Sequence, residues 1–118
     1  MTELPRTPSP SEVVLVLCHF PDADSATRCA HALLDARLAA CVSVGAPVQS
    51  FYVWQGQREA ASEVPLCAKT TAAAYAAVEA AVRAAHPYEL PDILAVPLSH
   101  GLPAYLAWVA NAIAPPSP

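Results

Sequence analysis

Residues 41–59 read CVSVGAPVQSFYVWQGQRE, and residues 62–70 read SEVPLCAKT. The first alternates through Val48, Ser50, Tyr52 and Trp54 on one face and Gln49, Phe51 and Val53 on the other, which is the period of a strand. Gly45 and Pro47 interrupt it, so a bend or bulge is expected inside one long strand. QGQ at 55–57 supplies the tip of a hairpin, and 62–70 is the returning strand. Pro65 donates no ladder hydrogen bond, so it marks an edge, a bulge or a lapse in pairing.

The flanks complete the pattern. EVVLVLCHF at 12–20 is a continuous apolar, β-branched run, expected as a first strand buried on both faces. Residues 21–40 carry a helix capped by Asp22 or Asp24, with Ala30, Leu33, Leu34 and Leu38 as its core stripe. Nine of the fourteen residues from Ala72 to Ala85 are alanine, which favours a second helix. Its expected cap is Thr70 or Thr71, Tyr75, Val78 and Val82 face the sheet, and Glu79 pairs with Arg83. PDILAVPLS at 91–99 is a fourth strand. GLPAYLAWVANAI at 101–113 is a closing helix with Pro103 in its first turn and a stripe of Leu102, Leu106, Val109 and Ile113.

The order βαββαβ plus a terminal helix, with short connections and right-handed crossovers, predicts a ferredoxin-like α+β sandwich with sheet order 4-1-3-2. The hairpin is too long for two helices to cover. An exposed edge bearing Phe51, Tyr52, Val53 and Trp54 invites pairing with another chain, so an oligomer with shared hairpins is expected.

The totals narrow the function. A chain of 118 residues is one domain, expected over 12–113 between Pro-rich tails at 1–11 and 114–118 that read as disordered. A net charge of −4 with six Lys plus Arg argues against a nucleic-acid face. No apolar run approaches the ~20 residues of a membrane helix, and the opening MTELPRTPSPSE carries no signal-peptide pattern, so a cytoplasmic protein is expected. Cys18, Cys29, Cys41 and Cys67 form no C-x-x-C pair and read as free thiols.

Topology gathers polar groups. The fourth strand runs antiparallel to the first, so His86 and Glu89, just before it, lie beside Cys18 and His19, which end the first strand. Alternation forbids Cys18 and His19 from both facing His86. Either pairing would suit copper or zinc. The alternative is that Cys18 fills the core and His86 closes a helix. A second group comprises Tyr52, Trp54, Glu63, Lys69 and Thr70. Lys69 meets an anion there, or forms an ion pair with Glu63 or Glu89 at a subunit interface. No nucleophile with a base in reach, no Gly-rich phosphate cradle, no M-x-C-x-x-C and no aromatic in VPLCAKT is present, so no enzyme, nucleotide-binding or RNA-binding activity is expected.

RLAACVSV, QSFYVWQGQ, SEVPLCAKT, HPYELPDI and GLPAYLAWV together resemble the CutA family of divalent-cation tolerance proteins, over about residues 12–113. The resemblance implies a ferredoxin-like homotrimer in which hairpins pair between subunits, and tolerance of, or response to, copper(II) or another divalent cation. It implies Cys18 and His86 as metal ligands, with Ala85 standing where family members carry the first histidine of a pair and His19 as a substitute. Gln55 and Gln57 replace a common Glu and Lys near the hairpin tip. The family in turn resembles PII-type signalling trimers. That analogy offers Tyr52, Trp54, Glu63, Lys69, His86, Tyr88 and Glu89 as the lining of an intersubunit cleft for a small anionic ligand.

Overall fold

The computed structural model describes residues 12–115. The elements are β1 (Val13–Phe20), α1 (Ala23–Asp35), β2 (Cys41–Val44), β3 (Val48–Trp54), β4 (Gln57–Thr71), α2 (Tyr75–Ala85), β5 (Leu94–Pro97) and α3 (Pro103–Ala112). All pairings are antiparallel, and the sheet runs β2-β4-β1-β5, with β3 also paired to β4. With β2 and β3 taken as one interrupted strand, this is the order that the connectivity predicts.

The interruption has a specific form. β2 pairs Val44 with Leu66, whereas β3 resumes by pairing Val48 with Glu63. Residues 45–47 therefore oppose one residue fewer on β4, and the register shifts by one, as in a bulge. The Pro65 carbonyl accepts the Gly45 N–H at 2.9 Å, and its missing N–H falls where the ladder is already broken. A Cβ on Gly45 would stand 2.9 Å from the Pro65 ring, so these two residues fit each other here. The shift also exchanges faces. Val42 and Val44 share the face of Ala68 and Leu66, but Val48, Ser50, Tyr52 and Trp54 share the face of Glu63. The hairpin closes on Gln55 and Gly56, both at positive φ (50° and 77°), the backbone of a two-residue type I′ turn.

One face of the sheet holds the core. Val16, Cys18 and Phe20 of β1 and Val64, Leu66 and Ala68 of β4 pack against Ala26, Cys29, Ala30 and Leu33 of α1 and Val78 and Val82 of α2. Burying each larger side chain contributes about 1.5–3 kcal/mol. Asp22 caps α1, its carboxylate accepting the Ser25 N–H at 2.8 Å, which holds its pKa below the ordinary carboxylate value. The helix ends in a Schellman turn: Leu38 N–H bonds the Leu33 carbonyl and Arg37, at φ 56°, bonds that of Leu34. Ala114, placed in the tail by sequence, donates its N–H to the Arg37 carbonyl at 2.9 Å. Residues 1–11 and 116–118 of the expected tails lie outside the described residues.

Several expectations need correction. Leu34 is 41% exposed, because the Ala26–Cys29–Ala30–Leu33 stripe leaves it on the rim. Leu102 is 71% exposed, since it precedes α3 rather than belonging to it, and only Val109 of that stripe is fully buried. The fourth strand is cut to Leu94–Pro97, because Asp92 is drawn to His19 instead of into the ladder. α2 starts at Tyr75 with no side-chain cap on Ala74; Thr71 caps the preceding turn through the Ala74 N–H at 3.3 Å. The Glu79 carboxylate accepts the Tyr75 hydroxyl at 3.0 Å.

The opposite face of the sheet is open. It presents Leu15 and Leu17 of β1, Cys67 and Lys69 of β4, and Leu94 and Val96 of β5. α3 crosses one end of it, where Lys69 Nζ donates to the Tyr105 hydroxyl at 3.0 Å and lies 5.1 Å from that ring's centre.

Candidate functional site

β1 ends where α2 ends, and two faces of the sheet meet polar groups there. Cys18 points into the helix face and His19 into the open face, as alternation requires. Cys18 and His86 are thus brought together, and the ligand atoms of Cys18, His86 and Asp92 all lie within 4.8 Å of one another. The thiol donates weakly to Asp92 Oδ1 at 3.8 Å and to the His19 carbonyl at 3.7 Å. Burial, reinforced by the Asp92 charge, pushes the Cys18 thiol up from 9.0 to about 12.

His86 ends α2 and is buried, stacked on Phe20 with ring centres 4.3 Å apart. Its Nε2–H donates to the His19 carbonyl at 2.7 Å, and its Nδ1 accepts the Tyr88 backbone N–H at 3.1 Å. Those two bonds require the neutral Nε2–H tautomer. His86 does close α2, as the alternative had it, but its ring is bonded to a neighbouring strand and to its own connector. The substitution of His19 for the missing histidine at Ala85 fails, because only the His19 carbonyl reaches His86. The His19 ring instead donates from Nδ1 to Asp92 Oδ2 at 2.7 Å, while its backbone N–H donates to Asp92 Oδ1 at 2.9 Å.

Asp92 was missed by sequence reasoning. It sits just before β5, so the strand topology that brings His86 and Glu89 to the end of β1 brings Asp92 there too. As a donor set, thiolate, imidazole and carboxylate suit a four-coordinate divalent transition metal with one open position. The thiol and the carboxylate stand 3.8 Å apart, slightly beyond the ~3.5 Å between ligands of a tetrahedral site, and His86 must release one hydrogen bond to join them.

On the open face, His19, Tyr52, Trp54, Glu63, Tyr88, Glu89 and Asp92 line one groove of about 660 Å³. The bulge puts Tyr52 and Trp54 there. The Tyr88 hydroxyl donates to Glu63 Oε2 at 2.9 Å. Burial first, and then Glu63, raise the Tyr88 pKa from 10.0 to about 12, so it remains a donor at neutral pH. Lys69 is not among these residues. It shares a face with Glu63, but six residues along a strand is about 20 Å, and its partner is Tyr105 rather than Glu63 or Glu89. That hydrogen bond raises the Lys69 pKa.

The profile of the CutA1 divalent ion tolerance protein family matches residues 14–112. The chain belongs to that family. It is 38% identical over 98 residues to the divalent-cation tolerance protein CutA of Pectobacterium atrosepticum, covering 83% of this chain and 89% of that one. The Archaeoglobus fulgidus CutA is 39% identical over 93 residues, covering 79% and 90%. Among solved structures, CutA from Xylella fastidiosa superposes with a TM-score of 0.84 at 40% identity, over 87% of this chain and 99% of the other. The divalent cation tolerance protein of Thermus thermophilus gives 0.84 at 36%, over 86% and 99%. This CutA1-family chain therefore shares with its relatives a five-stranded antiparallel sheet with three helices. Among the described residues, no helix is long and apolar enough to cross a membrane.

Proposed function

We propose that this protein is a non-enzymatic, homotrimeric divalent-cation tolerance protein that binds a divalent metal, copper(II) foremost, through Cys18, His86 and Asp92. The observation that carries the reading is the convergence of those three donors within 4.8 Å. The Irving–Williams order favours copper among divalent ions on such a set. Binding displaces the Cys18 proton. Freeing a ring nitrogen of His86 costs one of its two hydrogen bonds, about 1 kcal/mol.

Because the thiol is protonated up to about pH 12, each metal taken up releases a proton, and affinity rises about tenfold per pH unit. Calorimetric titration of Cu(II) at pH 6.5, 7.5 and 8.5, with Zn(II) as a redox-inert comparison, is expected to give one site per chain with that slope. Cys18→Ser is expected to abolish it. Equal binding by wild type and variant at every pH would remove the site.

The trimer and its ferredoxin-like plan are supported by surfaces left apolar in one chain. Leu94 and Val96 lie exposed on the open face, and Phe51 and Val53 are exposed on the hairpin. Sedimentation at micromolar concentration is expected to give a three-chain mass; a well-folded single chain would overturn the assembly. Four free cysteines, with no disulfide, support a reducing, cytoplasmic setting. A solved CutA from Archaeoglobus fulgidus is described as periplasmic, which places that relative elsewhere.

The open-face groove favours a second reading, a PII-like sensor of a small ligand between subunits. Within one chain, Lys69, the charge partner of the anionic version, is bonded to Tyr105 and stands apart from the groove, so that version needs the lysine of a neighbouring subunit.

A further inference from the structure

The open-face groove carries a charge pattern of which the metal reading uses only Asp92. Among the described residues, its acidic lining is Glu63, Glu89 and Asp92, with the His19 imidazole as the only base and no lysine or arginine; Ser50 adds a neutral hydroxyl. Its apolar lining includes the aromatic rings of Tyr52, Trp54 and Tyr88. Two of the three carboxylates are held in place: Glu63 by the Tyr88 hydroxyl at 2.9 Å, and Asp92 by both the backbone and the ring of His19. Fixed negative charge is therefore presented between aromatic surfaces, in a space of about 660 Å³. That volume lies within the usual 300–1,000 Å³ of small-molecule sites.

The geometry points to a binding site for a small organic cation, an ammonium or guanidinium on an apolar body. Three features favour a cation over an anion or a neutral molecule. The carboxylates attract positive charge and repel negative charge. Aromatic faces add cation–π attraction, worth about 0.5–1 kcal/mol at exposed sites and more when desolvated. The Tyr88 hydroxyl spends its proton on Glu63, so it offers a ligand no donor that would suit an anion. A bare metal ion fits less well, because aromatic walls supply it no ligands, and the Cys18 thiol and the His86 ring that complete the metal donor set lie buried on the helix face. The groove shares Asp92 with the metal donors, but neither Cys18 nor His86 lines it, so a variant at Cys18 tests the two sites apart.

The test uses the full-length assembled protein in EDTA, with benzylammonium, benzyl alcohol and benzoate as matched cationic, neutral and anionic probes. Binding is followed by ligand-detected NMR and calorimetry. Benzylammonium is expected to bind at least tenfold more tightly than benzoate, and its affinity is expected to fall as salt rises. Trp54→Leu is expected to weaken it about fivefold, the equivalent of one exposed cation–π contact. Glu89→Gln, on the connector and outside any core contact, is expected to weaken it by a similar factor. Cys18→Ser is expected to leave it unchanged while removing Cu(II) binding, so the two sites fail separately. Circular dichroism and sedimentation of each variant should match wild type. Benzoate binding as tightly as benzylammonium, or indifference to both Trp54→Leu and Glu89→Gln, would overturn the assignment. So would the absence of all binding because a second copy of the chain fills the groove.

Discussion

Phe20→Ala is expected to destabilise the protein by about 3–5 kcal/mol, the usual cost of truncating a fully buried aromatic. Phe20 ends β1 with no exposed surface and packs in the core beside Val64. Its ring also forms the floor on which His86 lies, at 4.3 Å and 27° between planes. Removing it leaves a cavity and loses a stacking contact worth about 0.5–1.5 kcal/mol beyond burial. Denaturant unfolding at fixed protein concentration measures this, since association adds to apparent stability. Phe20→Leu, which keeps most of the volume, is expected to lose well under half as much. A loss below about 1 kcal/mol for Phe20→Ala would mean that the β1 end is not packed as described.

The Cys18 thiol makes stability depend on alkaline pH. Its folded pKa, about 12, lies above the unfolded 9.0, so the folded state holds a proton that the unfolded chain gives up. The contribution is fully present below pH 9 and is lost as pH rises from 9 towards 12. The difference between the two values corresponds to at most about 4 kcal/mol. Tyr88 is raised in the same direction and titrates in the same region, so wild type alone does not isolate the thiol. Urea unfolding at pH 7.5, 9 and 10.5, under reductant, is expected to show a steeper alkaline fall for wild type than for Cys18→Ala. Cys18→Ala starts lower because it leaves a cavity, but its slope retains only the share of the tyrosines, Lys69 and Cys29, the last a thiol that burial also raises. Parallel slopes would show that the thiol ionises as freely in the folded state as in the unfolded one.

Much of the fold could be read from local rules that act within a few residues. Pro65 and Gly45 each signalled a fault in the same ladder, and they meet at 2.9 Å across it. Gln55–Gly56 formed the turn at the expected tip, and Asp22 was the cap. The sheet order followed from connection lengths. The site was legible to the level of which ends converge, and no further. Parity placed Lys69 on the face of Glu63, but their separation of six residues already sets the two about 20 Å apart along one strand. No pattern reveals that both nitrogens of His86 have backbone partners, because those partners, the His19 carbonyl and the Tyr88 N–H, belong to any sequence. Asp92 was overlooked because an aspartate beside a proline reads as ordinary turn chemistry, and only its position before β5 sets it apart.

The three residues Gly45, Ala46 and Pro47 act as a parity switch in the chain. Upstream of them even-numbered side chains face the helices; downstream, even-numbered side chains face away. Deleting any one of the three would leave the composition of the arm almost unchanged, yet turn Tyr52 and Trp54 to the back of the ribbon and bring Phe51 and Val53 to the front. The aromatic wall beside Glu63 is thus encoded less by which aromatics the arm carries than by the count of residues between two strands.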